Sequence, residues 1–184
     1  MVKNSRFLFL SLMSVLFLSC TMKDNLQRDI VINTDAIEFS IPIRTNLEDT
    51  LLIAELQNKV NLSEQIANNN NQFTVADLRS AYLTSFIIKL DELDTPNNDI
   101  SSFISIKVEL KATAKPLILL GITNNIPNRD SDSLNVNITA SAQPLQDYLN
   151  ADNMTYVISG VARNATTKVI QAKAVARYKL TLGM

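Results

Sequence analysis

Histidine and tryptophan are absent from this chain of 184 residues, cysteine occurs once and glycine three times. Each absence removes chemistry. Without His, Ser-His-Asp and Cys-His catalysis are excluded, and the commonest general base and transition-metal ligand are missing. One cysteine allows no intramolecular disulfide. Gly121, Gly160 and Gly183 stand far apart, so no glycine-rich phosphate cradle exists. An excess of positive charge is missing too. The 17 basic residues meet 18 acidic ones and form no stripe, so nucleic-acid binding, which needs clustered Lys and Arg, is not expected.

What is present is concentrated at the start. Lys3 and Arg6 precede an apolar run, Phe7 to Leu18, broken only by Ser11 and Ser14; Ser19 and the single cysteine, Cys20, follow. Charge, apolar stretch and small residues in that order make a secretory signal. The run is too short to span a bilayer, which takes ~20 residues. A chance cysteine beside an ordinary cleavage site is the plain alternative. Against it, cysteine occurs nowhere else and sits directly after the apolar run.

The Leu18-Ser19-Cys20 ending resembles the lipobox of bacterial lipoproteins cut by signal peptidase II. The usual pattern has Leu three places before the cysteine; here Phe17 holds that place, with Leu16 one step earlier. The resemblance implies that the Cys20 thiol receives a diacylglyceryl group and becomes the lipidated N-terminus. Several acyl chains anchor a protein stably where one does not.

Residues 1–19 are thus read as the signal, 20–35 as the lipidated cysteine with a flexible tether, and 36–184 as a single domain. The tether would reach up to about 50 Å at ~3.3 Å per residue. Of the 17 basic residues two, Lys3 and Arg6, belong to the signal, which leaves 15 against 18 acidic. Lys23-Asp24 resembles the Lys-acidic export signals of surface lipoproteins in Bacteroidota; a solvated linker reads equally well there.

Ile37, Phe39, Ile41 and Ile43 alternate with polar residues, a half-buried strand, and Pro42 marks it as an edge. Leu52, Leu56, Val60 and Ile66 sit near helical spacing and predict a helix from Thr50 to Asn68, ended by the Asn run. Strands are expected at Ala81–Leu90, Phe103–Leu110, Leu117–Ile122 and Leu134–Ile138, with single helical turns at Val75–Leu78 and Pro144–Leu149. Met154–Arg163 and Lys168–Leu182 read as a terminal β-hairpin. The expected fold is mainly β, an antiparallel β-sandwich of about seven strands with one longer helix and a short helical turn. The order of strands and polar loops from Ala81 to Ile122 resembles uncharacterised Bacteroidota outer-membrane lipoproteins. It carries no catalytic motif.

Candidate chemistry is sparse. Asp91, Glu92, Asp94 and Asp99 lie in one connection, Asp130 and Asp132 in another. Such oxygens suit Ca²⁺, but neither loop has the glycine or closing Glu of an EF-hand, and Asp is an ordinary turn residue. Asp49-Thr50-Leu51 and Asp132-Ser133-Leu134 resemble Bacteroidota O-glycosylation patterns, making Thr50 and Ser133 candidate sites. For Thr50 a helix N-cap is the better reading, given the helix expected after it. Asn61, Asn137, Asn153 and Asn164 match the N-glycosylation pattern, which in such a protein reads as ordinary Asn-rich turn. Tyr82, Tyr148, Tyr156 and Tyr178 could stack a sugar, though at strand positions tyrosine is more often core.

The expectation is a lipid-anchored outer-membrane lipoprotein that binds or assembles envelope proteins, with no cofactor, no metal and no enzymatic activity. Periplasmic and cell-surface faces stay open. A surface glycan-binding lipoprotein is the alternative, favoured by an aromatic pair on one exposed face. A carboxylate-dependent hydrolase is the second alternative, favoured by two acids in a walled cleft.

Overall fold

A computed structural model describes residues 27–47, 49–58, 60–93, 97–139, 145–151 and 153–183. Cys20 and the signal lie outside the described residues. The chain folds as two antiparallel sheets packed face to face, a β-sandwich.

The strands are β1 (Gln27–Asn33), β2 (Ile37–Ile41), β3 (Leu51–Asn58), β4 (Leu78–Leu90), β5 (Phe103–Lys111), β6 (Ile118–Thr123), β7 (Ser133–Asn135), β8 (Met154–Ala162) and β9 (Ile170–Gly183). Among the described residues two short α-helices accompany them, α1 (Leu62–Asn69) and α2 (Gln146–Leu149). One sheet runs β1-β9-β4-β7, with β2 also paired to β9; the other runs β3-β8-β5-β6. Strand β9 is the spine of the first sheet. Its inward positions carry Ile170, Ala172, Ala174, Ala176, Tyr178, Leu180 and Leu182, all buried. The inward face of β8 meets it with Tyr156 and Ile158, both fully buried.

Several expectations hold. β2 pairs only with β9, so it is an edge strand as Pro42 implied. β4, β5, β6 and α2 form close to their expected ranges, and Val75–Asp77 makes one 3-10 turn. Others are corrected. The helix expected over Thr50–Asn68 is strand β3 followed by the shorter α1. A β-bulge between Leu52 and Ala54 puts the buried residues Ile53 and Leu56 three apart, which imitates helical spacing. Thr50 therefore caps no helix; Asn61 does, its side-chain oxygen accepting from the Glu64 amide. The tether expected over 20–35 is shortened, because Gln27–Asn33 pairs along β9 and buries Ile30 and Ile32.

The expected terminal hairpin does not form. β8 lies in one sheet and β9 in the other, and the connection between them crosses from sheet to sheet. Each is flanked on both sides by other strands.

The position of Gly160 on β8 explains one close approach. A Cβ there would stand 2.7 Å from the Ser105 carbonyl oxygen on β5 and 3.1 Å from Ile53 Cδ1. The carbonyl is backbone and can withdraw only if β5 moves. Gly160→Ala is expected to cost about 2 kcal/mol by overpacking, read as a shifted urea midpoint. A change under about 0.5 kcal/mol, the ordinary scatter of a surface substitution, would show that the strands part freely.

Candidate functional site

The described connections gather at the Ile170 end of β9. Four of them meet there: 42–50, 91–102, 124–132 and 163–169. The last is the hub. The Arg44 amide donates to Thr166 Oγ1 at 2.8 Å, and the Thr166 amide donates back to the Arg44 carbonyl at 3.0 Å. Asn98 Oδ1 accepts from the Thr167 amide at 2.9 Å and from the Lys168 amide at 3.3 Å. These bonds tie the first two connections to the hub. Asn98 is buried, and Asn97 beside it takes a left-handed backbone at φ 69°, a conformation Asn tolerates better than most residues.

Two further groups fasten the remaining connection. Asp99 is 1% exposed, and its carboxylate accepts from Ser101 Oγ at 2.7 Å and the Ser131 amide at 3.1 Å. Arg163, at the exit of β8, donates through Nη1 to the Ser101 carbonyl and through Nη2 to the Ile126 carbonyl. A buried charge must be paired or fully hydrogen-bonded to be tolerated, and Asp99 meets that condition. It was expected among exposed turn acids; it is instead a structural clamp.

The other candidate acids behave differently. Asp91 pairs with Lys173 at 3.2 Å, and Lys173 also reaches Glu38 at 3.5 Å. The Lys173 ammonium is held above its usual pKa by its hydrogen bond and charge pairing with Asp91, then by Glu38. Glu92 and Asp130 are exposed. Asp132 is half-buried, its backbone carbonyl accepting from the Leu90 amide at 2.7 Å. Asp94 lies outside the described residues. Among the described residues no three metal-ligating side chains converge. Asp91 and Glu92 line one recess of about 230 Å³, shared with Asn98, Lys168, Val169, Ile170 and Gln171. Val169, Leu93, Ile43 and Leu47 are exposed around this end.

Three of the four tyrosines are core. The Tyr156 and Tyr178 hydroxyls hydrogen-bond across the sandwich, and Phe86 meets Tyr156 edge-on at 5.1 Å between ring centroids. Tyr148 is buried and donates to the Pro116 carbonyl at 2.8 Å. Only Tyr82 is half-exposed. Burial drives the Tyr156 hydroxyl far above its ordinary pKa despite the opposing bond from Tyr178, and burial does the same to Tyr178. Thr50 and Ser133 are both exposed, Ser133 on the short edge strand β7.

Sequence reasoning singled out the acidic connections but not Arg163, Asn98 or Thr166. The only local sign was the density of Asn, Asp, Ser and Thr in these segments. Such residues hydrogen-bond to nearby backbone.

No family model matches the chain, and no curated protein matches it. Among solved structures it is similar to the 60-mer BFDV capsid protein at 8% identity and TM-score 0.37, covering 88% of this chain and 95% of that one. Desmodium yellow mottle tymovirus matches at 12% and 0.23, covering 85% and 90%. Infectious bursal disease virus, Gx strain, matches at 10% and 0.24, covering 88% of this chain and 42% of that one. Scores this low carry nothing about what the chain binds or does.

Proposed function

We propose that this chain is a membrane-anchored envelope lipoprotein, a binding or assembly subunit of an outer-membrane protein complex. The observation that carries the reading is the single cysteine, Cys20, placed directly after the apolar run Phe7–Leu18 and Ser19. The rest of the chain agrees with it. Its β-sandwich begins seven residues later at Gln27, leaving a short link between lipid and domain. At the Ile170 end it offers exposed apolar side chains on connections that are fixed by hydrogen bonds. A fixed surface loses little entropy on binding.

In wild-type cells the membrane-extracted protein is expected to carry a mass shift of a diacylglyceryl group or more at Cys20, with residues 1–19 removed. Cys20→Ala should remain unprocessed and lose its lipid attachment. An unmodified Cys20 in the membrane-extracted chain would end the reading.

A second reading rests on Asp91 and Glu92 lining one recess with Lys168. Two carboxylates lining one recess are what a carboxylate-dependent hydrolase would start from, although Asp91 is already held by Lys173. Its test is a screen of glycan and ester substrates, with Glu92→Gln abolishing any turnover found. For glycan binding no comparable observation exists: among the described residues no aromatic side chain is exposed.

A further inference from the structure

We propose that the Gly183 end of the sandwich rests on the bilayer, with the β5–β6 connection, residues 112–117, seated among the lipid headgroups. This rests on the lipid-anchored reading and says which surface of the domain meets the membrane. Three observations carry it.

The first is reach. Gln27 pairs with Gly183, so the chain enters the domain at the Gly183 end of β9. In the mature chain of that reading Cys20 carries the lipid, and the link from it to Gln27 extends at most ~25 Å. The 14 residues of β9, at ~3.4 Å each, set the Ile170 end about 45 Å from that point of entry. The lipid can therefore lie against the Gly183 end but not against the Ile170 end. β1 and β6 are edge strands of different sheets. Three strand spacings and one sheet spacing separate them by ~17 Å, which the link also spans.

The second is the connection itself. Thr113, Ala114, Lys115, Pro116 and Leu117 are all exposed, Leu117 at 54%. Lys115 is the one charge among them. The tip is held firmly. The Lys115 amide donates to the Ala112 carbonyl at 3.1 Å, Tyr148 Oη donates to the Pro116 carbonyl at 2.8 Å, and Lys115 Nζ pairs with Asp147 at 3.3 Å. Ala114 takes a left-handed backbone at φ 57°, which is costly for a residue with a Cβ and no polar side chain. Tyr148 and Asp147 lie on α2, and the Leu145 amide just before α2 donates to the Ala81 carbonyl of β4, opposite Leu180. The tip is thus tied to the same end of β9 that receives the link. A fixed apolar tip loses little entropy on insertion, and a lysine beside it can lay its stem along the apolar layer with its ammonium among phosphates.

The third is charge, which is balanced. Among the described residues at this end Asp29 pairs with Lys179, Lys111 with Glu55 and Lys115 with Asp147. Arg28 and Arg79 are matched in number by Glu64 and Asp77. No net field attracts or repels anionic lipid, so contact depends on burying Leu117 and its neighbours and is expected on zwitterionic lipid at high salt. The flank of the first sheet is a poorer surface, because the Asp29–Lys179 and Glu38–Lys173–Asp91 ion pairs cross it.

The test is fluorescence quenching on the full-length lipidated protein, purified from membranes and reconstituted in phosphatidylcholine vesicles. Lipid occupies the Cys20 thiol, so Leu117→Cys places one reactive thiol at the tip for a nitrobenzoxadiazole label. Val31→Cys on the flank and Val169→Cys at the far end, at comparably exposed positions, are the controls. The expected result is that doxyl-labelled phosphatidylcholine quenches the label at Leu117, in molar salt as in low salt, and leaves those at Val31 and Val169 bright. With the label moved to Thr113→Cys, adding Leu117→Asp should cut the quenching about fivefold or more, as one apolar side chain leaves the interface. Leu117 is exposed, so this variant should fold; its melting curve checks that. No quenching at Leu117, equal quenching at Val31 or Val169, loss of quenching in molar salt, or insensitivity to Leu117→Asp would each overturn the proposal. The mass at Cys20, read from the same sample, separates the two readings. Without lipid there, the anchored reading fails and this one with it; with lipid there, an unquenched tip ends this one alone.

Discussion

Tyr178→Ala is expected to remove about 4–8 kcal/mol of stability, comparable to the whole stability of an ordinary domain. Truncating a buried aromatic costs about 3–5 kcal/mol in lost packing and cavity. Tyr178 is fully buried on the inner face of β9, so little collapse is available to fill its space. The substitution also leaves the Tyr156 hydroxyl, itself fully buried, without the partner it has across the sandwich. An orphaned buried hydroxyl adds about 1–3 kcal/mol. Two controls separate the parts. Tyr178→Phe keeps the ring and orphans the hydroxyl, so it should cost only the second share. Tyr156→Phe combined with Tyr178→Phe removes both hydroxyls and should recover most of that loss. If the double variant is as unstable as the sum of the singles, the hydroxyl pair is not coupled.

The same pair sets an alkaline limit. Both hydroxyls are raised above the ordinary tyrosine value by burial, so the folded state keeps its protons where the unfolded state releases them. Stability from this source is complete below about pH 10, the unfolded value, and falls as pH rises above it. Absorbance at 295 nm should show the Tyr156 and Tyr178 ionisations only together with loss of the fold. Ionisation of all four tyrosines in a chain with an intact β spectrum would refute the buried pair.

What the sequence revealed and what it hid divide along locality. β2 and β4 were legible because alternation is local: each inward residue is separated from the next by one outward one. β3 was hidden by its bulge, which broke the period of two at Ile53. β1 was hidden because Val31, 53% exposed, sits between Ile30 and Ile32, so an alternating strand reads as a short apolar patch in a polar tether. The sandwich itself followed from many short strands without intervening helices. Its pairing did not follow. Met154–Ala162 and Ile170–Gly183 are sequence neighbours that share no rung, because each sheet closes with strands from far upstream.

The candidate site divides the same way. Asp91 and Glu92 were legible as part of an acidic connection. The bonds that make them part of a defined surface join residues such as Arg44 and Thr166, 122 positions apart. Asp99 shows the cost of reading charge alone. Its neighbours Ser101 and Ser131 decide that it is a clamp, and the second of them comes from another connection. Cys20 is the reverse case, a site read entirely from its neighbours in sequence.

Arg163→Met is expected to destabilise the domain by about 2–4 kcal/mol and to loosen the Ile170 end before the rest. Arg163 is half-buried and its guanidinium satisfies two carbonyls, Ser101 and Ile126, from different connections. Bonds from a charged donor are each worth about 1.5–3 kcal/mol, reduced here by partial exposure to water. Met keeps the apolar stem over the sheet but donates nothing, so packing loss is small and the carbonyls are left unpaired. The backbone amides of Arg163 and Asn164 both donate to the Ser102 carbonyl, which keeps the hub attached to its neighbour without the side chain. The core strands β8 and β9 should therefore stay protected. Hydrogen exchange should quicken first at Ile126, whose amide donates to the Ile104 carbonyl, and at Ile100, whose amide donates to the Ser131 carbonyl. Uniform acceleration across β4 and β9 would instead place Arg163 in the global core. Retained protection at Ile126 and Ile100 would show that the connections stand without it.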